Sequence, residues 1–152
     1  MVTIQEVMSS KPVTLSRFNS LADARQLMNE KGFRHIPIVG DKGELLGLVS
    51  QRDVLSLGSS SQSLVEDEEL KKIEAGTLIA DIMTTNLKTV LPNLQVEDAA
   101  KILHKYKFGC LPVVDKNNIL QGIITDHDFV EITIQILEMM RRNEPQEIDE
   151  YE

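Results

Sequence analysis

The chain has 152 residues, a formal net charge of -8 and a pI near 4.9, which opposes a nucleic-acid partner, since a phosphate backbone usually needs a basic face. Its aromatic fraction of 4%, with no Trp, leaves few platforms on which bases could stack. No apolar run nears the roughly 18 residues of a membrane span, nothing at the start reads as a signal peptide, and one Cys makes no internal disulfide, so the expectation is a cytoplasmic protein with no membrane partner.

Along the chain, residues 4–8 predict a short helical turn and 12–15 an extended segment. Ser20 is placed as the N-cap of an amphipathic helix whose Leu21, Ala24, Leu27 and Met28 share one face. Gly32 stands where a left-handed stop is expected. Two apolar strands follow at 35–39 and 45–50, joined by the turn-rich 40–43, so they read as a hairpin. A second helix starts at Gln51. Residues 58–63 form a Ser/Gly linker with little reason to order, and 64–75 are acidic, then helical as far as Gly76.

The succession then starts again. A turn at 79–83 leads to an extended segment at 88–91 and a helix bearing Val96, Ala99, Ile102 and Leu103, ending near Gly109. Strands at 110–114 and 120–125 flank a turn at 115–118, and a last helix begins at Asp126. The expected boundaries are a first copy at 1–57, a linker with a short acidic helix at 58–76, a second copy at 77–142, and a disordered acidic tail at 143–152.

Adding 75 superposes residues 4–54 on 79–129 without a gap, with 11 identities in 51 positions, where average composition gives about three. Among them are Ile4 and Ile79, Met8 and Met83, Pro37 and Pro112, Gly47 and Gly122, and Asp53 and Asp128. The fold expected is α/β (α+β), with two tandem copies of a strand-helix-strand-strand-helix unit packed in pseudo-twofold symmetry. Two similar units build two similar clefts.

In the final helix, Phe129, Val130, Ile132, Ile134, Ile136, Leu137, Met139 and Met140 cover more than one face. Either the other copy covers them or a homodimer does. The homodimer is expected, because so large an exposed patch is a liability on a monomer.

The richest positions are the two strand-to-helix junctions, Gly-Leu-Val-Ser-Gln-Arg-Asp at 47–53 and Gly-Ile-Ile-Thr-Asp-His-Asp at 122–128. One explanation is a capping box, with Ser50 or Thr125 accepting from backbone N–H groups and Asp53 or Asp128 reaching back. The other is a ligand site. A helix N-terminus attracts phosphate, a hydroxyl donates to it, and a carboxylate nearby accepts from both hydroxyls of a ribose. Spacing alone favours the capping box, and the duplication at identical register adds support for a nucleotide.

Several motifs recur in order in both copies: Met8-Ser9 and Met83-Thr84 near the start, Thr14 and Thr89 in the extended segment, the Pro-bearing strands around Pro37 and Pro112, and the junctions above. The set resembles the cystathionine beta-synthase (CBS) domain, a pair of which is known as a Bateman module, over nearly the whole chain. The resemblance implies two small sheets about a pseudo-twofold axis, disc-shaped dimers, and AMP, ADP or ATP in clefts between the copies, with S-adenosylmethionine or dinucleotides in some members. It also implies that Ser50 and Thr125 face phosphate, that Asp53 and Asp128 hold ribose, and that Thr14 and Thr89 border the adenine. No catalytic cofactor is implied.

The copies differ in charge. Before the Pro strand the first has Arg34 and His35 where the second has Gly109 and Cys110, and Arg52 stands opposite His127. Family members often set a basic residue at this place against phosphate, and each charge-assisted bond contributes about 1.5–3 kcal/mol. The two clefts are therefore expected to differ in the ligand charge they accept.

Other candidates carry less. Asp126, His127 and Asp128 point different ways from a helix and make a poor metal site. Cys110 among apolar neighbours reads as core, and His104 with Lys101, Lys105 and Lys107 reads as a solvated face. No Ser/His/Asp or Cys/His set recurs, so no enzyme is expected. The function expected is a stand-alone regulatory, energy-sensing module that binds an adenine nucleotide and signals occupancy to an unknown partner protein. The alternatives are a structural dimerisation module without ligand, or an S-adenosylmethionine binder.

Overall fold

A computed structural model of the chain describes residues 1–59 and 67–144. Most of the expected Ser/Gly linker and nearly all of the acidic tail lie outside the described residues. A 3-10 turn at Ile4–Glu6 precedes β1 (Ser9–Ser10), α1 (Leu21–Lys31), β2 (His35–Val39), β3 (Leu45–Ser50) and α2 (Gln51–Ser59). Then come α3 (Asp67–Gly76), α4 (Ile79–Ile82), α5 (Val96–Tyr106), β4 (Cys110–Val114), β5 (Leu120–Thr125) and α6 (Asp126–Asn143).

Local signals explain most boundaries. Ser20 Oγ accepts from the Asp23 amide at 3.2 Å, while Asp23 Oδ2 accepts from the Ser20 amide at 2.9 Å. That backbone bond, with help from Asn19, holds the Asp23 carboxyl below its ordinary pKa. Gly32 closes α1 at φ 71. In α5 the stop comes at Lys107 rather than near Gly109, because Lys107, which corresponds to Gly32, adopts the left-handed conformation at φ 56.

The hairpins β2–β3 and β4–β5 pair antiparallel with the same register, His35 opposite Ser50 and Cys110 opposite Thr125. The extended segments add parallel bridges, Leu15 to Ile38 and Val90 to Val113. Each N-terminal segment, however, crosses to the other copy. β1 pairs with β5, and Thr84 reciprocates on β3 by exchanging two 2.9 Å backbone bonds with Leu48.

The turns before them cross as well. The Ile4 amide donates to Leu94 O and the Ile79 amide to Asn19 O, both at 2.8 Å. Two hydrophobic cores result among the described residues. Ile79 lies with Leu21, Ala24, Met28, Ile36, Ile38, Val49 and Val54. Ile4 lies with Val90, Ala99, Leu103, Leu111, Val113 and Ile124. Burying such a side chain stabilises by about 1.5–3 kcal/mol, so each copy is held partly by its neighbour's first turn. A clasp completes the join: the Leu45 amide donates to Asn118 O at 2.9 Å and the Leu120 amide to Gly43 O at 3.0 Å.

The other copy does not cover the last helix. No α6 residue is buried, and Val130, Ile134, Ile136, Leu137, Met139 and Met140 are each 50–58% exposed. Leu55 and Leu57 on α2, the counterparts of Val130 and Ile132, are exposed too. Helix α3 packs on α1, where Arg25 and the buried Glu74 form an ion pair at 2.6 Å.

Candidate functional site

Both junctions fold as capping boxes. Ser50 Oγ accepts from the Asp53 amide at 3.1 Å and Asp53 Oδ2 accepts from the Ser50 amide at 3.0 Å. The second copy matches, with Thr125 Oγ1 and the Asp128 amide at 3.2 Å and Asp128 Oδ2 and the Thr125 amide at 2.8 Å. Each box engages Oδ2 of its carboxylate, so capping leaves Oδ1 able to accept from a ligand. The residue just before the hairpin's first strand anchors each helix start: the Gln51 amide donates to Arg34 O at 2.7 Å and the Asp126 amide to Gly109 O at 3.1 Å. The second junction differs in one respect. Its His127 amide is taken by Asp126 Oδ1 at 2.8 Å.

A cleft of about 1430 Å³ lies against the first junction. Arg34, His35, Ser50, Arg52 and Asp53 line it. The opposite wall is second-copy chain, including Thr84, Asn86, Lys88, His104, Lys107 and Phe108. The volume exceeds the few hundred to roughly 1,000 Å³ of common ligand pockets, which suits a ligand with a base, a sugar and a charged tail. Of the ten residues expected from sequence, these five share one cleft. Thr125, His127 and Asp128 form the other junction and do not line it. Thr14 and Thr89 are half-buried in the extended segments, and Thr89 follows the cleft residue Lys88.

The cleft is basic on an acidic chain. Arg25, Arg34, Arg52, Lys88 and Lys107 face only two lining carboxylates, Asp53 and Asp126. Arg25 is paired with Glu74, and the other four cations have no ion pair among the described residues. At the second junction His127 Nε2 lies 3.4 Å from Glu131, and the counterparts of Lys88 and Lys107 are Val13 and Gly32. The charge difference expected between the copies is therefore wider in three dimensions than in the aligned sequence.

His35 packs on the second copy, where a Cβ added to Gly109 would lie 3.0 Å from its Cε1 and Nε2. Burial lowers its pKa, Asp126 and Asp53 pull the other way, and Arg34 adds to the lowering. Its ring is thus biased toward the neutral form, able to donate from one nitrogen and accept at the other. Cys110, read as core, is 7% exposed, and its thiol is pushed up to about 12 by burial, then by Asp128 and Asp126. It borders the cleft as a thiol, not a thiolate.

His104 and Lys107 lie on the solvated face expected from sequence and also reach the cleft. Phe108, also lining, stacks on Tyr106 with ring centroids 5.6 Å apart. Arg25, Lys88 and Phe108 were missed as site residues. Their only sequence signal is proximity to motif positions, because the wall they build exists once the second copy's segments fold against the first junction.

The family model for the CBS domain matches residues 4–60 and 79–135. A Vibrio cholerae protein provisionally described as the acetoin utilization protein AcuB is similar in structure, with a TM-score of 0.79 and 39% identity, covering 95% of this chain and 99% of that one. CBSX2 of Arabidopsis thaliana, in complex with AMP, has a TM-score of 0.75 and 30% identity over 90% of this chain and 99% of its own. Inosine-5'-monophosphate dehydrogenase of Nitrosopumilus maritimus is 33% identical over 127 residues, 84% of this chain; the chain spans 23% of that enzyme's length. No helix among the described residues is long and apolar enough to cross a membrane.

Proposed function

The chain belongs to the CBS domain family, with two tandem copies, and from that premise we propose that it is a regulatory module binding an adenine nucleotide in the cleft at the first junction. The observation that carries this is the meeting of Ser50, Asp53, Arg34 and Arg52 with Lys88 and Lys107 around one cleft. A hydroxyl and a carboxylate at a helix start suit a ribose phosphate, and four cations without an ion pair among the described residues suit a charged tail. The 30% identical CBSX2, bound to AMP, supports the ligand class. In this proposal Asp53 Oδ1 accepts from the ribose, Ser50 and the cations meet the phosphates, and Thr14 and Thr89 border the base. Thr125, His127 and Asp128 serve a second, less basic position. S-adenosylmethionine is the runner-up ligand.

Occupancy would act by population shift, favouring one relative arrangement of the two copies and so one state of a regulated partner protein in the cytoplasm. The exposed apolar face of α6 supports a homodimer as the platform for that signal. The test is a thermal melt of the full chain with AMP, ADP, ATP and S-adenosylmethionine. A ligand at 100 times its Kd should add about 2.7 kcal/mol; no shift with any of the four would refute the proposal.

A further inference from the structure

Arg25 is the cleft cation held from outside the cleft. From α1, its Nε donates to both carboxylate oxygens of Glu74 on α3 at 3.0 Å, and its Nη2 donates to Oε1 at 2.6 Å. Nη2 also reaches the Val54 carbonyl on α2 at 3.3 Å, while Nη1 donates to nothing among the described residues. A guanidinium is a rigid planar fork, so fixing its Nε–Nη2 edge fixes the direction of Nη1. Arg25 borders both the cleft and the groove between α1 and α3 in which Glu74 lies. Its side chain is 30% exposed against 7% for Glu74. The matching position in the second copy is Ala100, so no second such arrangement follows from the repeat.

We propose that Glu74, on the helix between the copies, is a positioning residue of the cleft: it aligns Arg25 so that its Nη1 edge serves an anionic ligand. Cleft occupancy and docking of α3 on α1 then reinforce each other. This rests on the nucleotide proposal above. The opposite sign, in which phosphate draws Arg25 away, would leave a buried carboxylate without its partner, and an uncompensated buried charge is strongly unfavourable. The ligand therefore adds a contact to Arg25 instead of replacing one, and α3 becomes part of the site although it touches no ligand.

The test titrates ATP by calorimetry into the full chain as wild type, Glu74→Gln and Arg25→Lys, and follows amide hydrogen exchange in Asp67–Gly76 with and without ATP. Glu74→Gln should weaken ATP binding about fivefold, the low end of coupling between sites. ATP should slow α3 exchange in the wild type and not in Arg25→Lys. If either variant fails to fold, the wild-type exchange alone decides. Unchanged or tighter ATP binding by folded Glu74→Gln, or wild-type α3 exchange indifferent to bound ATP, overturns the coupling and leaves the nucleotide proposal standing. No ATP binding by the wild type overturns the coupling, while the nucleotide proposal is decided separately by the melt with all four ligands.

Discussion

Met83 of the second copy packs on Gly47 of the first: its sulfur would lie 2.6 Å from a Cβ added there. The reciprocal pair is Met8 on Gly122, at 2.7 Å. Both pairs are identities in the 75-residue repeat, and the structure shows what those positions do. Each Met belongs to a turn that crosses to its neighbour, and each Gly clears the strand surface on which that turn lands. The absent side chain at Gly47 and Gly122 is a docking surface for the other copy.

Gly122→Ala should therefore destabilise the fold more than Gly47→Ala. The Gly122 site meets the Ser9 backbone carbonyl at 2.6 Å, whereas the nearest atoms at Gly47 belong to the flexible Met83 side chain. Overpacking costs about 1–3 kcal/mol, and the reduced entropy of the unfolded chain offsets about 0.4–1 kcal/mol of it. Urea unfolding curves with equal m-values would measure both. A Gly122→Ala protein as stable as the wild type would show that β1 does not seat closely on β5.

Asp53→Ala and Asp128→Ala should each weaken nucleotide binding, Asp53→Ala by the larger factor because Asp53 lines the large cleft. Loss of either capping box should cost about 0.5–2 kcal/mol of stability, so the fold should survive. Calorimetric titration of both variants and the double variant is the check. Affinities equal to wild type in all three would leave the carboxylates with capping as their whole role.

Arg34→Ala and Arg52→Ala should lower ADP and ATP affinity by a larger factor than AMP affinity. A longer phosphate tail meets more of the cleft's cations, and both arginines are exposed and without an ion pair among the described residues. The deficit should shrink with added salt, since the Debye length falls from about 10 Å at 0.1 M to about 3 Å at 1 M. Equal losses for the three nucleotides would mean that the cleft does not discriminate by charge.

A homodimer through α6 should dissociate or precipitate when Ile136 and Met140, 52% and 57% exposed, are both changed to Glu. Light scattering at micromolar concentration would read the mass. A monomeric wild type would remove the dimer from the proposal.

What the sequence determined by itself is local. The bounds of β2, β3, β4 and β5, the starts of α2 and α6, the Ser20 cap and the Gly32 stop follow from alternation, capping and turn chemistry, which act over a few residues. The Ser50–Asp53 and Thr125–Asp128 pairs were legible for the same reason, and the repeat marked both as sites.

The tertiary structure alone decided which copy each N-terminal segment serves. Ile4 and Ile79 carry equal hydrophobic signals wherever they pack, so nothing in their neighbourhood says that each fills the other's core. The crossing in turn set Lys88 and Lys107 opposite Arg34 and Arg52, giving a chain of net charge -8 one basic cleft. It also left α6 with its apolar side uncovered. Charge and hydrophobicity are written residue by residue, but a cleft's potential and a helix's burial are sums over chain that only folding brings within reach.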